Sequence, residues 1–421
     1  MGIESVLNLA AFLVTMAAVF GYLNHRWLKL PHTVGLVVIA LFASLTALLI
    51  DALIPSLGFG PAVRGTLTDI DLYDTLMKGM LGFLLFAGAL HVDLDDLWQR
   101  RWAISILATV GILTSTVIVG AMTYAGWRAL GFDVGWLPCL TFGALISPTD
   151  PIAVLSILKR LAVPPTLEAK IAGESLFNDG VGVVVFTVLA GLGAGGAGAV
   201  DLSPLAVVEL VVTEAVGGIV LGLGAGYLTY RLMRPLDEHN LEVMMTLALV
   251  MATTAIAVRW HLSGPLAVVV AGLFIGNHGA QFAMSANTRD HIERFWSLLD
   301  EILNSVLFLI IGFEVVALSL SGAVVLAVVL AIPVVLAARF VAVAGPITLL
   351  RRWRTFTPGA IPVLTWGGLR GGISVALVLS LPPSPVRELL LAATYGVVIF
   401  SIVVQGLTIE RVVRRSVAAA S

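Results

Sequence analysis

The chain alternates between long apolar blocks and short polar connections. A helix crossing the hydrocarbon core of a bilayer needs roughly 20 apolar residues. About thirteen blocks approach that length: 5–24, 32–51, 72–91, 103–126, 135–158, 168–193, 204–230, 240–259, 262–277, 298–319, 322–349, 360–381 and 388–410. The ninth is short and has Pro265 near its start. Only helices and closed barrels satisfy their backbone polar groups in lipid, and blocks this long read as helices. The pattern predicts an all-α polytopic membrane protein with about 13 transmembrane helices.

The basic residues divide the connections into two sets. One set holds Arg26 and Lys29, Arg100 and Arg101, Lys159, Arg160 and Lys170, Arg231 and Arg234, Arg289 and Arg294, Arg351, Arg352 and Arg354, and Arg411, Arg414 and Arg415. The other holds only Arg64, Arg128, Arg259 and Arg387. By the positive-inside rule the first set is cytoplasmic, which puts the N-terminus outside and the C-terminus inside an inner (cytoplasmic) membrane. The first apolar block is preceded only by Glu4 and followed by its basic residues, the reverse of a signal peptide. The segment Asn277 to Glu293 is expected to be the longest cytoplasmic connection, and the Gly/Ala-rich stretch Gly191 to Gly198 the frayed end of span six with an external turn.

Composition narrows the class further. Hydrophobic residues make up 59% of the chain and charged residues 12%, against roughly 25% charged in soluble domains. The mean hydropathy is +1.02. A net charge of −2 gives no reason to expect a nucleic-acid partner, and the single cysteine, Cys139, allows neither an intramolecular disulfide nor a cysteine metal site.

Thirteen spans allow two inverted six-helix repeats with the seventh span as linker. Span five then corresponds to span twelve, and both are interrupted: Ser147-Pro148-Thr149-Asp150-Pro151 in one, Gly367-Gly368-Leu369-Arg370-Gly371-Gly372 in the other. Discontinuous helices 5 and 12 at matching positions point to a transporter site near the bilayer midplane.

Ionisable residues inside spans are costly and functional by default. Away from the span ends they are Asp150, Glu174, Asp179, Arg339 and Arg370, while Glu209, Glu214 and Glu314 lie nearer predicted span ends. In span six, Ser175 and Asp179 share a helix face, as do Glu174 and Asn178. A hard cation needs oxygen ligands, which the Ser175 hydroxyl and Asp179 carboxylate supply. The alternative for Ser175 is a hydrogen bond that pins two helices. The prolines around Thr149-Asp150 should open the helix and free backbone carbonyls, that of Thr149 best placed for a cation. Asp150 suits an N-cap for a helix starting at Pro151. Arg370 suits neutralisation of facing carbonyl ends where two broken helices cross. Arg339 requires a carboxylate partner, for which Glu174 is the choice. That leaves Asp179 as the titrating carboxylate.

At this point the chain resembles a known family. Glu174-Ser175-Leu176-Phe177-Asn178-Asp179 looks like the signature of the monovalent cation:proton antiporter-1 family, which includes NhaP-type antiporters and sodium/proton exchangers. Ser147-Pro148-Thr149-Asp150-Pro151 looks like its unwound fifth helix, and Trp366-Gly367-Gly368-Leu369-Arg370-Gly371 resembles its twelfth-helix motif. The resemblance covers essentially the whole chain.

It implies a homodimer that moves by elevator-like alternating access. A dimerisation domain (1–102 and 236–320) and a core ion-transport domain (103–200 and 321–421) would be joined by a linker helix at 201–235. It carries over Asp179 as the shared cation and proton site, with Asn178, Ser175 and Thr149 around the Na⁺, and Glu174 with Arg339 as a structural ion pair. An Asn-Asp pair implies electroneutral one-for-one exchange. NhaP-type relatives often carry a glutamate near Ala87, which this chain lacks; water can fill the place.

The expected function is exchange of Na⁺ for H⁺, with Li⁺ or K⁺ as alternative cations and membrane lipids as surroundings. Asp179 binds a proton or a cation, never both, and that competition couples the fluxes. No cofactor is expected besides the transported ions, and no enzyme activity: phosphate-loop and His-Glu-x-x-His motifs are absent from the sequence. An uncoupled cation channel would need the same oxygen ligands. An intramembrane aspartyl protease would need two aspartates sharing a proton, and the sequence at Asp179 does not match the Gly-x-Gly-Asp motif of that class.

Overall fold

The computed structural model describes residues 3–54, 79–150, 154, 165–193, 204–314, 321–351 and 359–418. Among them the secondary structure is helical, apart from one isolated backbone bridge. The helices are α1 (Ile3–Leu23), α2 (His32–Leu53), α3 (Leu81–Leu90), α4 (Leu94–Ala129), α5 (Trp136–Ile146), α6 (Pro165–Gly193) and α7 (Pro204–Met233). They continue with α8 (His239–Arg259), α9 (Gly264–Phe274), α10 (Ala286–Glu314), α11 (Gly322–Leu350), α12 (Ala360–Trp366), α13 (Gly372–Leu379) and α14 (Pro385–Phe400). Wider, π-helical turns extend α1 through Asn24–Leu28, α9 through Ile275–Gly279, and α14 through Ser401–Gln405 into a last helical stretch, Gly406–Ala418.

Nine helical stretches among the described residues are long and apolar enough to cross a membrane. The expected spans outside this set correspond to α1 and to three short or broken segments: α3, α5 and the pair α12 and α13. Residues 55–78, where span three was expected to start, lie outside the described residues, as do 194–203 beyond the end of α6.

One expectation fails. The long connection predicted between Asn277 and Glu293 is mostly helical, since α9 continues to Phe282 and α10 starts at Ala286. The start of α10 is polar, and hydropathy reads it as loop. Ion pairs one turn apart, Arg289 with Glu293 at 2.8 Å and Asp290 with Arg294 at 3.0 Å, suit a helix that projects from the apolar layer.

Packing divides into two sets of neighbours. Helix α4 packs on α5, α6 and α11, while α11 also meets α12 and α14. Helix α9 packs on α3, α7 and α8, and α10 on α1, α2, α3 and α8. The sets touch where α6 meets α3, α7 and α9, where α10 meets α13, and where α2 meets the wide turn Ser401–Gln405. Buried tryptophans anchor each set and keep their polar edge satisfied. Trp127 on α4 donates to the Ala327 carbonyl at 3.2 Å, and Trp296 on α10 to the Thr246 hydroxyl at 2.9 Å. Large apolar side chains such as Phe42, Val220 and Phe340 stay exposed, as lipid-facing positions require.

Candidate functional site

The site begins with two helices that stop halfway. Pro148 lacks an N–H and its ring clashes with the preceding turn, so α5 ends at Ile146. The four-glycine run around Arg370 separates α12 from α13. The two breaks cross: the Asp150 N–H donates to the Leu369 carbonyl at 2.8 Å, the one isolated bridge among the described residues.

Each break is compensated by a charge from the other. The Arg370 guanidinium donates to the Ser147 carbonyl and, at 2.8 Å, to the Pro148 carbonyl, both at the open C-terminal end of α5. Its backbone N–H donates to the Ser401 hydroxyl at 2.9 Å on the wide turn of α14. In the other direction, a Cβ on Gly371 would lie only 2.5 Å from Asp150 Oδ2. The Asp150 carboxylate therefore rests against the start of α13, where the helix dipole favours negative charge. The capping role expected for Asp150 at Pro151 falls on residues outside those described.

Helix α6 lies directly on this crossing. A Cβ on Gly182 would meet Pro148 Cγ at 2.3 Å, so glycine is what lets α6 approach the break. Glu174, Ser175, Asn178 and Asp179 are all buried on it. Glu174 Oε1 accepts from Arg339 Nη1 of α11 at 2.5 Å. The remaining face of that guanidinium donates to the Leu364 carbonyl, from Nε at 3.2 Å and Nη2 at 3.1 Å. A buried ion pair is tolerable when its spare donors are also used, as here. Asn178 Nδ2 donates to Glu174 Oε1 at 3.3 Å and to the Thr149 hydroxyl at 3.4 Å, while its Oδ1 is buried without a partner. The Ser175 hydroxyl donates to the Thr149 carbonyl.

Asp179 is different. Among the described residues its carboxylate makes no hydrogen bond or ion pair, and the residue keeps 7% of its surface exposed. Asp150 is within charge–charge range of it. The Thr149 carbonyl and hydroxyl, the Ser175 hydroxyl and the orphaned Asn178 carbonyl stand on the same short stretch of α6 and the break it covers. This is an oxygen-only donor set, the kind that suits a hard cation.

The structure thus brings Thr149, Asp150, Glu174, Ser175, Asn178, Arg339 and Arg370 into one connected region with Asp179. Sequence reasoning missed the Leu364 carbonyl and Ser401, which depend on how α12 and α14 fold back; a lone serine in an apolar run was the only available signal. Ala87 is buried among apolar side chains, with its carbonyl accepting from His91 Nδ1 at 2.7 Å.

Comparison with known proteins gives a consistent picture. The family described as sodium/hydrogen exchanger, transmembrane, matches residues 14–415. The Na(+)/H(+) antiporter NhaP of Pseudomonas aeruginosa is 46% identical over 419 residues, covering 97% of each chain. The Na(+)/H(+) antiporter NhaH of Halobacillus dabanensis is 34% identical over 410 residues, covering 93% of each. A solved structure of the sodium proton antiporter MjNhaP1 from Methanocaldococcus jannaschii superposes with a TM-score of 0.72 at 17% identity, over 99% of both chains. The fold with its crossed broken helices, the match across nearly the whole chain and the extent of identity agree: this multi-pass membrane protein belongs to the sodium/hydrogen exchanger family.

Proposed function

We propose that the protein is a secondary active antiporter that exchanges Na⁺ for H⁺, one for one, with Asp179 as the shared site. The observation that carries this is the Asp179 carboxylate itself. It is buried and uncompensated among the described residues, beside a broken helix whose Thr149 carbonyl faces the same stretch of α6. Glu174 and Arg339 neutralise one another at 2.5 Å, so neither is available to bind the cation or take up the proton. A proton and a cation cannot both occupy the Asp179 carboxylate. Each half of the cycle therefore requires release of one before the other binds, and this competition couples the two gradients. Ser175, Thr149 and Asn178 supply further oxygens to the Na⁺. A channel would not need that exclusive occupancy, and the named relatives are antiporters.

The two sets of helix neighbours support an elevator-like movement. One set carries the crossing and Asp179; the other, with α1, α2, α3 and α8 to α10, would form the dimer contact and stay in place, with α7 as the linker helix between them. The protein would work as a homodimer in the lipid of the inner membrane, with its N-terminus outside and its C-terminus in the cytoplasm. Li⁺ and K⁺ are the alternative cations.

The test is a purified sample in liposomes with an imposed pH gradient. Added Na⁺ should dissipate the gradient at a rate unchanged when the membrane potential is clamped. A rate that follows the potential would overturn one-for-one exchange, and the Li⁺ and K⁺ series ranks the cations.

A further inference from the structure

One face of α10 reaches the crossing with more than apolar packing. A Cβ on Gly372, at the start of α13, would come within 2.4 Å of Leu307 Cδ1 on α10. The residue before it, Gly371, is the one that carries the Asp150 carboxylate. Asn304 and Asp300 lie three and seven positions before Leu307, so helical spacing puts all three on one face. Asn304 is buried, and its Nδ2 donates to the Asp300 carbonyl at 2.9 Å and to Asp300 Oδ1 at 3.1 Å. The amide is thereby fixed against the carboxylate, yet Asn304 Oδ1 is buried with no partner. A buried acceptor without a donor calls for a partner. The charges acting on half-buried Asp300 are both negative, Asp150 and Glu301. Asp150 acts in turn on Asp179.

We propose that the Asp300 carboxylate and Asn304 Oδ1 form a second subsite for the transported monovalent cation, which holds it before it passes to Asp179. The proposal rests on Asp179 as the exchange site. The chemistry is that of a hard, singly charged ion: one carboxylate and one amide oxygen, with the Asp150 carboxylate as a negative neighbour toward the crossing. The subsite sits on α10, whose main packing is against α2, outside the set of helices that carries Asp179. It would raise the local cation concentration at the crossing.

The test is antiport in proteoliposomes as a function of Na⁺ concentration, for wild type, Asp300→Asn, Asp300→Glu and Asn304→Ala. Asp300→Asn should raise KM roughly tenfold, within the range that electrostatic attraction contributes, with the maximal rate held to about twofold. Asp300→Glu should keep a near-native KM, and Asn304→Ala should raise it less than Asp300→Asn does. The KM of wild type should also climb with added choline chloride more steeply than that of Asp300→Asn, because salt screens the attraction. An unchanged KM in folded Asp300→Asn protein overturns the proposal. So does loss of the maximal rate in Asp300→Asn and Asp300→Glu alike, which would make Asp300 part of the scaffold. If Asp300→Asn does not fold, Asn304→Ala decides, and a native KM there overturns the subsite. Asp179→Asn is measured alongside: activity retained in that variant removes the exchange site itself, whereas its loss together with a native KM in Asp300→Asn removes only the subsite.

Discussion

Arg370 closes the end of a helix to which it does not belong: its Nη1 donates to the Pro148 carbonyl, 2.8 Å away across the crossing of the two broken spans. The same nitrogen serves the Ser147 carbonyl. Removing the guanidinium strands both acceptors in a buried place, at roughly 1–3 kcal/mol for each. Arg370→Leu should therefore lower the melting temperature of the detergent-solubilised protein, and Arg370→Lys should recover part of the loss. Heating followed by size-exclusion chromatography measures this. An unchanged melting temperature in Arg370→Leu would mean the carbonyls find another donor.

The Glu174–Arg339 pair predicts a distinctive pattern of damage. Truncating one partner leaves the other as an unpaired buried charge, which typically costs about 3–5 kcal/mol. Glu174→Ala and Arg339→Ala should each lower the amount of folded protein recovered. The double variant Glu174→Leu with Arg339→Leu should be less damaged than the sum of the single Leu variants, because no charge is left behind. Additive losses would contradict a direct pairing.

Ser175 is held against the Thr149 carbonyl. If both oxygens face the cation, Ser175→Ala removes a contact to a charge worth roughly 1.5–3 kcal/mol and raises the KM for Na⁺ about ten- to hundredfold. The maximal rate should fall less. A native KM would assign the hydroxyl to helix pinning alone, the alternative reading of this residue.

Gly182 tests the approach of α6 to the break. An added methyl would stand 2.3 Å from Pro148 Cγ, a rigid ring that cannot turn aside. Gly182→Ala should push α6 from the break, separate Ser175 from Thr149 and cut exchange, with overpacking costing roughly 1–3 kcal/mol of stability. Native transport kinetics in this variant would show that the spacing between α6 and the break is not critical.

Much of this was legible in the sequence because the strongest signals are local. Proline brackets and a glycine run announce broken helices wherever they fold. A guanidinium amid apolar residues demands a carboxylate, and Glu174 was available one face of α6 away from Asp179. What depends on the crossing was not legible. The local rule for an aspartate before a proline looks only along its own helix, and it could not show that the Asp150 carboxylate also lies against Gly371, more than two hundred positions along. The polar start of α10 was hidden for another reason. Hydropathy measures preference for lipid, and a helix held by Arg289–Glu293 and Asp290–Arg294 pairs does not need lipid to form.

The central claim is that one carboxylate carries both ions. Asp179→Asn, reconstituted in liposomes with an imposed pH gradient and compared with wild type at equal folded protein, tests it most directly. The account predicts that Na⁺ dissipates the gradient in wild type and has no effect in Asp179→Asn, while both proteins keep the same elution profile and melting behaviour. Substantial Na⁺-driven proton movement in the folded variant would contradict it.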